Sequence, residues 1–247
     1  MADTVLQTES IRFSYGRRAV LHDLNLQVER GKVYGFLGRN GAGKTTTIQI
    51  LLGILIPKGG KIHFADRTVK RTTPAMKQKI GYVSQHQHFY EWMTVHRLGR
   101  FVAGFYPSWD AGDFDKKLEL LKIERKQKVG TLSGGTKMKL AMALALATRP
   151  EILILDEPTA GVDPIARREI LDLMRRVVDE EERTVLFSTH NINEVSQIAD
   201  VVGVLHNGEL GYQGRVEGLV AHVRETTGEA LPGADLEDAF VRMVRDL

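Results

Sequence analysis

Apolar and polar positions change rhythm several times along the chain. Over residues 5–15, Ile11 and Phe13 alternate with polar neighbours, the period of a half-buried strand. Leu24, Leu26 and Val28 repeat that alternation and predict a second strand. Residues 33–37 form a nearly unbroken apolar run, which predicts a strand buried on both faces. A helical pattern spans residues 44 to about 55 and stops before Pro57 and the Gly59-Gly60 turn. Residues 61–65 read as a further short strand. From about residue 89 to 150 helical periodicity dominates. Phe114, Leu118 and Leu121 share one face, and Leu140, Ala141 and Leu144 another. Residues 152–155 are again a buried-strand run. Asp163-Pro164 predicts a helix start, with Asp as cap and Pro at the first position, and Ile170, Met174, Val177 and Val178 form its apolar stripe. Residues 183–188 and 201–205 predict two more strands, and Asn207-Gly208 a hairpin. The tail, 216–247, carries a short helix near 236–244. Together these elements predict an α/β fold. It has a mixed sheet with flanking helices, an antiparallel β part at the N-terminus and an inserted α-helical subdomain.

Composition removes several function classes. The 247 residues include no cysteine, which excludes a disulfide scaffold, a thiolate zinc site and a cysteine nucleophile. Lys and Arg number 34 against 31 Asp and Glu, and the net charge of +3 is too small to argue for a nucleic-acid partner. The longest apolar run, 140–147, falls far short of the roughly twenty residues a membrane span needs. The opening MADTVLQTES has no basic end followed by an apolar stretch, so it does not read as a signal peptide. The 24 glycines exceed the usual share of about 7%, and their positions lead to the chemistry.

Gly38-Arg39-Asn40-Gly41-Ala42-Gly43-Lys44-Thr45 fits G-x-x-x-x-G-K-[ST] and lies between the buried strand and a helix. Glycines let the backbone curl so that its N–H groups face phosphate oxygens, and the helix N-terminus adds partial positive charge. Lys44 reaches the terminal phosphates, and the Thr45 hydroxyl is a ligand for Mg²⁺. Residues 152–157 end a buried strand in two carboxylates. Asp156 is the metal-side candidate, and Glu157 is placed to orient or deprotonate an attacking water. Leu132-Ser133-Gly134-Gly135-Thr136 opens an apolar helix, a second Gly-rich N-terminus.

The order is phosphate loop at 38–45, LSGGT at 132–136, ILILDEP at 152–158 and STH at 188–190. It resembles the nucleotide-binding subunit of ATP-binding-cassette (ABC) transporters over residues 5 to about 215. The resemblance implies a P-loop ATPase core from 1–88 and 149–215, a helical signature subdomain at 89–148 and a C-terminal tail at 216–247. It implies ATP as substrate with Mg²⁺. Tyr15 would stack on adenine, and Arg39, Asn40, Ala42 and Thr46 would join the phosphate loop around the nucleotide. Gln85 would contact Mg²⁺ and the attacking water. Ser133, Gly134 and Gly135 would grip the γ-phosphate of ATP bound to another subunit, and Asp163 would lie at the dimer interface. His190 would contact the γ-phosphate. Of the eight histidines it alone sits just past a strand end beside Ser-Thr. The signature usually closes with Gln, where this chain has Thr136.

The implied assembly is a homodimer, or a pair with a related cassette, closing around two ATP. It would sit on a separate transmembrane permease subunit at the cytoplasmic face of the cell membrane. Phe89, Tyr90, Trp92, Phe101, Phe105, Tyr106 and Trp109 crowd into 21 residues, where the family receives its membrane subunit. Residues 105–110 and 236–240 look similar to the bacterial exporter branch. The alternatives are ABC-type ATPases of DNA repair, which carry a long coiled coil between the phosphate loop and LSGG, and ribosome-acting proteins with two cassettes. This chain has neither heptads at 45–132 nor a second cassette.

Overall fold

The computed structural model describes residues 3–65, 67–227 and 235–244. Two sheets organise it. The first is antiparallel, with strand order β2-β1-β5-β6 and β3 paired to β1. Its strands are β1 (Thr4–Tyr15), β2 (Arg18–Leu24), β3 (Gln27–Glu29), β5 (Gly59–Phe64) and β6 (Arg67–Val69). The second has the order β11-β10-β4-β9-β8-β7. It comprises β4 (Val33–Gly38), β7 (Ile80–Val83), β8 (Ile152–Asp156), β9 (Thr184–Thr189), β10 (Val201–His206) and β11 (Glu209–Arg215). Strands β7 to β10 and β4 run parallel, and β11 returns antiparallel at the edge. The expected mixed sheet and antiparallel N-terminal part are both present.

Every residue of β4, β8 and β9 is buried, as continuous apolar runs in central parallel strands require. The Asn207-Gly208 hairpin joins β10 to β11 with both residues in the left-handed region, as a two-residue turn of that type demands.

The helices are α1 (Lys44–Leu51), α2 (Pro74–Lys77), α3 (Val95–Ala103), α4 (Ala111–Leu120), α5 (Gly134–Leu146), α6 (Pro164–Asp179), α7 (Ile192–Ile198), α8 (Gly218–Thr227) and α9 (Leu236–Met243). Asp163 caps α6 by accepting from the backbone N–H of Ile165 and Ala166, as the Asp-Pro pair predicts. The helical block is not separately cored. Phe114, Leu118, Leu140 and Leu144 share one apolar cluster with Val33, Leu155 and Phe187 of the sheet, and with Leu219 and Phe240 of the tail. Residues 228–234 and 245–247 of the tail lie outside the described residues.

Two element ends differ from expectation. Helix α1 stops at Leu51 rather than near 55, because Gly53 turns into the left-handed region at φ 62°. The alternation Leu24-Leu26-Val28 is not one strand. Asn25 donates to the Asp23 carbonyl and accepts from the Ser10 N–H, so its side chain competes with the ladder and breaks it. No helix among the described residues is long and apolar enough to cross a membrane.

Candidate functional site

Because β4, β9, β8 and β7 are parallel neighbours, their C-terminal ends share one edge of the sheet. The loops that follow them meet there, as they do in open α/β sheets generally. Strand β4 delivers the phosphate loop, β8 Asp156 and Glu157, β9 His190, and β7 Gln85. They bound an open cleft of about 590 Å³ lined by Tyr15, Arg18, Val20, Asn40, Gly41, Gly43, Lys44, Thr45, Thr46, Gln85, Glu157 and His190.

Gly41 and Gly43 have φ of 83° and 115°, values an L side chain resists, so the curl of the loop depends on them. Lys44 is buried, and its Nζ donates to the carbonyls of Gly38 at 2.7 Å and Arg39 at 3.3 Å. The same ammonium lies 3.0 Å from Glu157 Oε1. His190 Nδ1 lies 2.9 Å from the other oxygen of that carboxylate. Glu157 is therefore held from two sides while only 7% exposed. Its φ is 47°, a strained value for a non-glycine residue and of the kind found at functional sites.

Behind it, the Ser188 hydroxyl donates to Asp156 Oδ1 at 2.6 Å and accepts from the Glu157 N–H at 2.9 Å. One side chain thus ties the Asp156 carboxylate to the backbone at Glu157. On β7, burial and the nearby Asp156 carboxylate push the Tyr82 phenol up to about 12, so it stays neutral.

The structure brings together the residues expected around the nucleotide, with Gly38, Arg39 and Ala42 in the same loop and Asp156 buried directly behind Glu157. Tyr15 is half exposed at the cleft and meets Phe13 edge-on at 4.9 Å, so it is not a core aromatic. Sequence reasoning missed Arg18 and Val20, which line the cleft. No motif marks them, but β2 pairs with β1 beside Tyr15 and carries them there.

Ser133, Gly134 and Gly135 do not line this cleft. Ser133 caps α5, accepting from the Thr136 N–H at 3.2 Å, and its hydroxyl meets the Thr136 hydroxyl at 2.9 Å. The residue that replaces the usual Gln thus contacts the signature serine through its own hydroxyl. The two glycines differ. A Cβ at Gly134 would meet nothing within 4 Å, whereas one at Gly135 would sit 2.7 Å from Ala166 Cβ on α6. Gly135→Ala is expected to cost about 1–3 kcal/mol by overpacking the α5–α6 contact. Gly134→Ala should stay within about 0.5 kcal/mol of wild type. Urea denaturation of the pair checks this, and equal midpoints would show that the close approach is dispensable.

A family model described as "ABC transporter" matches residues 21–160. The chain is 37% identical over 209 residues to the bacitracin transport ATP-binding protein BcrA of Bacillus licheniformis, covering 84% of this chain and 68% of that one. It is 32% identical over 248 residues to the linearmycin resistance ATP-binding protein LnrL of Bacillus subtilis (strain 168), covering 98% and 79%. A solved structure of the ATP binding subunit of an ABC transporter superposes with a TM-score of 0.83 at 26% identity, covering 98% of this chain and all of that one. A dimeric cassette bound to ADP and Pi, at 22% identity, shares the fold with a TM-score of 0.73 over 85% of this chain and 98% of that one. The relatives span both the phosphate-loop cleft and the separate signature helix, and on that ground the protein belongs to the ABC transporter family, as one of its ATP-binding, ATP-hydrolysing subunits.

Proposed function

We propose that two copies of this chain, or this chain and a related cassette, close head to tail around two Mg-ATP and so drive an exporter-type membrane subunit. The observation that carries the reading is the convergence of Lys44 and His190 on the Glu157 carboxylate inside the phosphate-loop cleft. The N–H groups of residues 40–45 cradle the phosphates, and Lys44 neutralises them. Tyr15, half open at the lip, takes the adenine ring. The Thr45 hydroxyl, the Gln85 amide oxygen and the Asp156 carboxylate are hard oxygen donors, the kind Mg²⁺ takes beside substrate phosphates. When bound, Mg²⁺ neutralises charge that develops on the transferred phosphoryl group. A γ-phosphate attracts both Lys44 and His190, which frees Glu157 to orient the attacking water and accept its proton. The signature Ser133 and Gly134 lie outside the chain's own cleft and open to solvent, where a second subunit's nucleotide can reach them.

Four of the seven clustered aromatics support a membrane partner. Tyr90, Trp92, Phe101 and Phe105 are exposed and form a connected ladder, with ring centroids 5.3–6.1 Å apart. Their sequence neighbours Phe89, Val102 and Tyr106 line a groove of about 390 Å³ together with Leu52 and Ile54 among others. A solvent-exposed ladder of this kind fits an apolar helix end from a membrane subunit and supports a chain docked on the membrane, in this reading at its cytoplasmic face. Relatives named for bacitracin transport and linearmycin resistance support an exported cargo. Replacing Tyr90 and Trp92 together with Ala should cut co-purification with the membrane subunit at least about tenfold, as expected for aromatic anchors. Hydrolysis by the isolated chain should not change. Full recovery of the complex would remove the ladder from the interface.

A further inference from the structure

The loops that carry Glu157 and His190 are joined a second time, behind the cleft, by a residue that neither motif contains. Glu194 lies in the first turn of α7 and is 4% exposed. Its Oε1 accepts from the Thr159 hydroxyl at 2.8 Å, and its Oε2 from the Thr189 hydroxyl at 2.7 Å, both buried. Each threonine is itself fixed in a turn. The Thr189 hydroxyl also accepts from the Asn191 N–H at 3.0 Å, closing the backbone around His190. The Thr159 carbonyl accepts from the Val162 N–H at 3.3 Å, in the loop that runs from Glu157 to Asp163. The Arg167 Nε is buried without a hydrogen-bond partner and faces the same Glu194 carboxylate at 3.8 Å. With the His190–Glu157 contact at 2.9 Å, these links close a ring: Glu157, Thr159, Glu194, Thr189, His190 and back to Glu157.

We infer that Glu194 is a positioning residue, whose carboxylate holds the two loops so that Glu157 and His190 keep one relative placement through the reaction. A buried carboxylate taking two hydroxyl donors is a strong and directional tie, because hydrogen bonds to an ionised acceptor are shorter and stronger than neutral ones. A buried acceptor that loses a donor bears the desolvation cost, so the two ties are mutually dependent. The loop it grips also leads to Asp163 and α6, so the same carboxylate relates the active acids to the segment expected at the dimer interface. The inference rests on the roles proposed for Glu157 and His190.

The test compares isosteric pairs in the full chain under saturating Mg-ATP. Thr159→Val and Thr189→Val remove a hydroxyl and keep the shape, whereas Thr159→Ser and Thr189→Ser keep the hydroxyl. Each Val variant is expected to lower kcat by about ten- to a hundredfold with KM within about twofold, and each Ser variant to return kcat to within about threefold of wild type. Glu194→Gln should fall with the Val variants, and if it does not fold, the threonine pairs carry the test. Wild-type kcat in both Val variants overturns the inference. So does failure of Ser to rescue, or a KM that rises in step with the loss, since either would mark packing alone. Glu157→Gln measured in parallel separates the two levels. If it hydrolyses ATP normally, the roles of the site fail. If it is inactive while the threonine variants are unaffected, only the inference about Glu194 fails.

Discussion

Glu157→Gln is expected to bind Mg-ATP with wild-type affinity, lose about 10²- to 10⁴-fold in kcat, and accumulate as an ATP-bound dimer. Among the described residues that line the cleft, Glu157 is the one carboxylate, and it lies beside the phosphate loop where it can take a proton from water. Its two oxygens already engage Lys44 and His190, so its position is set before any water arrives. The amide is nearly isosteric and its oxygen still accepts from Lys44, so the loop keeps its shape. What it loses is basicity. It also removes a negative charge from beside the anionic phosphates, which favours the closed, nucleotide-filled state. In the proposed cycle hydrolysis reopens the two-ATP dimer, so its failure is expected to strand the dimer. Phosphate release measured together with sedimentation in Mg-ATP reads both effects. Turnover at the wild-type rate would dismiss Glu157 as the base. A dead variant that remains monomeric would dismiss the two-ATP dimer but leave the base intact.

The parts of this site legible in the sequence are those whose residue types chemistry dictates within a few positions. The phosphate loop needs glycines, a lysine and a hydroxyl in order, and its flanking strand is marked by unbroken apolar character. Asp156 and Glu157 stand out because two carboxylates follow a buried run. The contacts between loops were not legible. Glu157 and His190 are 33 positions apart, and only the insertion of β9 between β4 and β8 makes them neighbours. Ser188 belongs to the STH motif, but nothing in the motif gives its bonds to Asp156 and Glu157, and Glu194 sits in an ordinary polar stretch whose burial no local pattern encodes. Arg18 and Val20 reach the cleft through strand pairing. The same reason explains the misread strand at residues 24–28. Its alternation is correct, but one asparagine side chain bonds to the backbone and ends the ladder. Periodicity reports which face is buried, and side-chain competition decides where an element stops.

Lys44→Ala is expected to abolish measurable ATP binding and to destabilise the chain as well, two effects with separable causes. The ammonium is 6% exposed and is shared among the Gly38 and Arg39 carbonyls and Glu157. Its charge-assisted contacts to phosphate contribute about 3 kcal/mol or more, a loss of at least about a hundredfold in affinity. Removing it also leaves His190 as the remaining side-chain partner of the buried Glu157 carboxylate. Breaking a fully buried pair costs about 3–5 kcal/mol, and the open cleft lets water offset part of that. A loss of about 1–2 kcal/mol is therefore expected, lowering Tm by roughly 2–8 °C in a chain of this size. The double variant Lys44→Ala with Glu157→Gln discriminates the two effects. It removes the uncompensated charge, so Tm should return towards that of Glu157→Gln, while ATP binding stays absent because the phosphate has no ammonium to meet. Calorimetric unfolding and titration with Mg-ATP give the two readouts on one sample. Recovery of binding in the double variant would mean that Lys44 acts on the nucleotide only by restraining Glu157. Unchanged affinity in the single variant would overturn the phosphate-loop assignment itself.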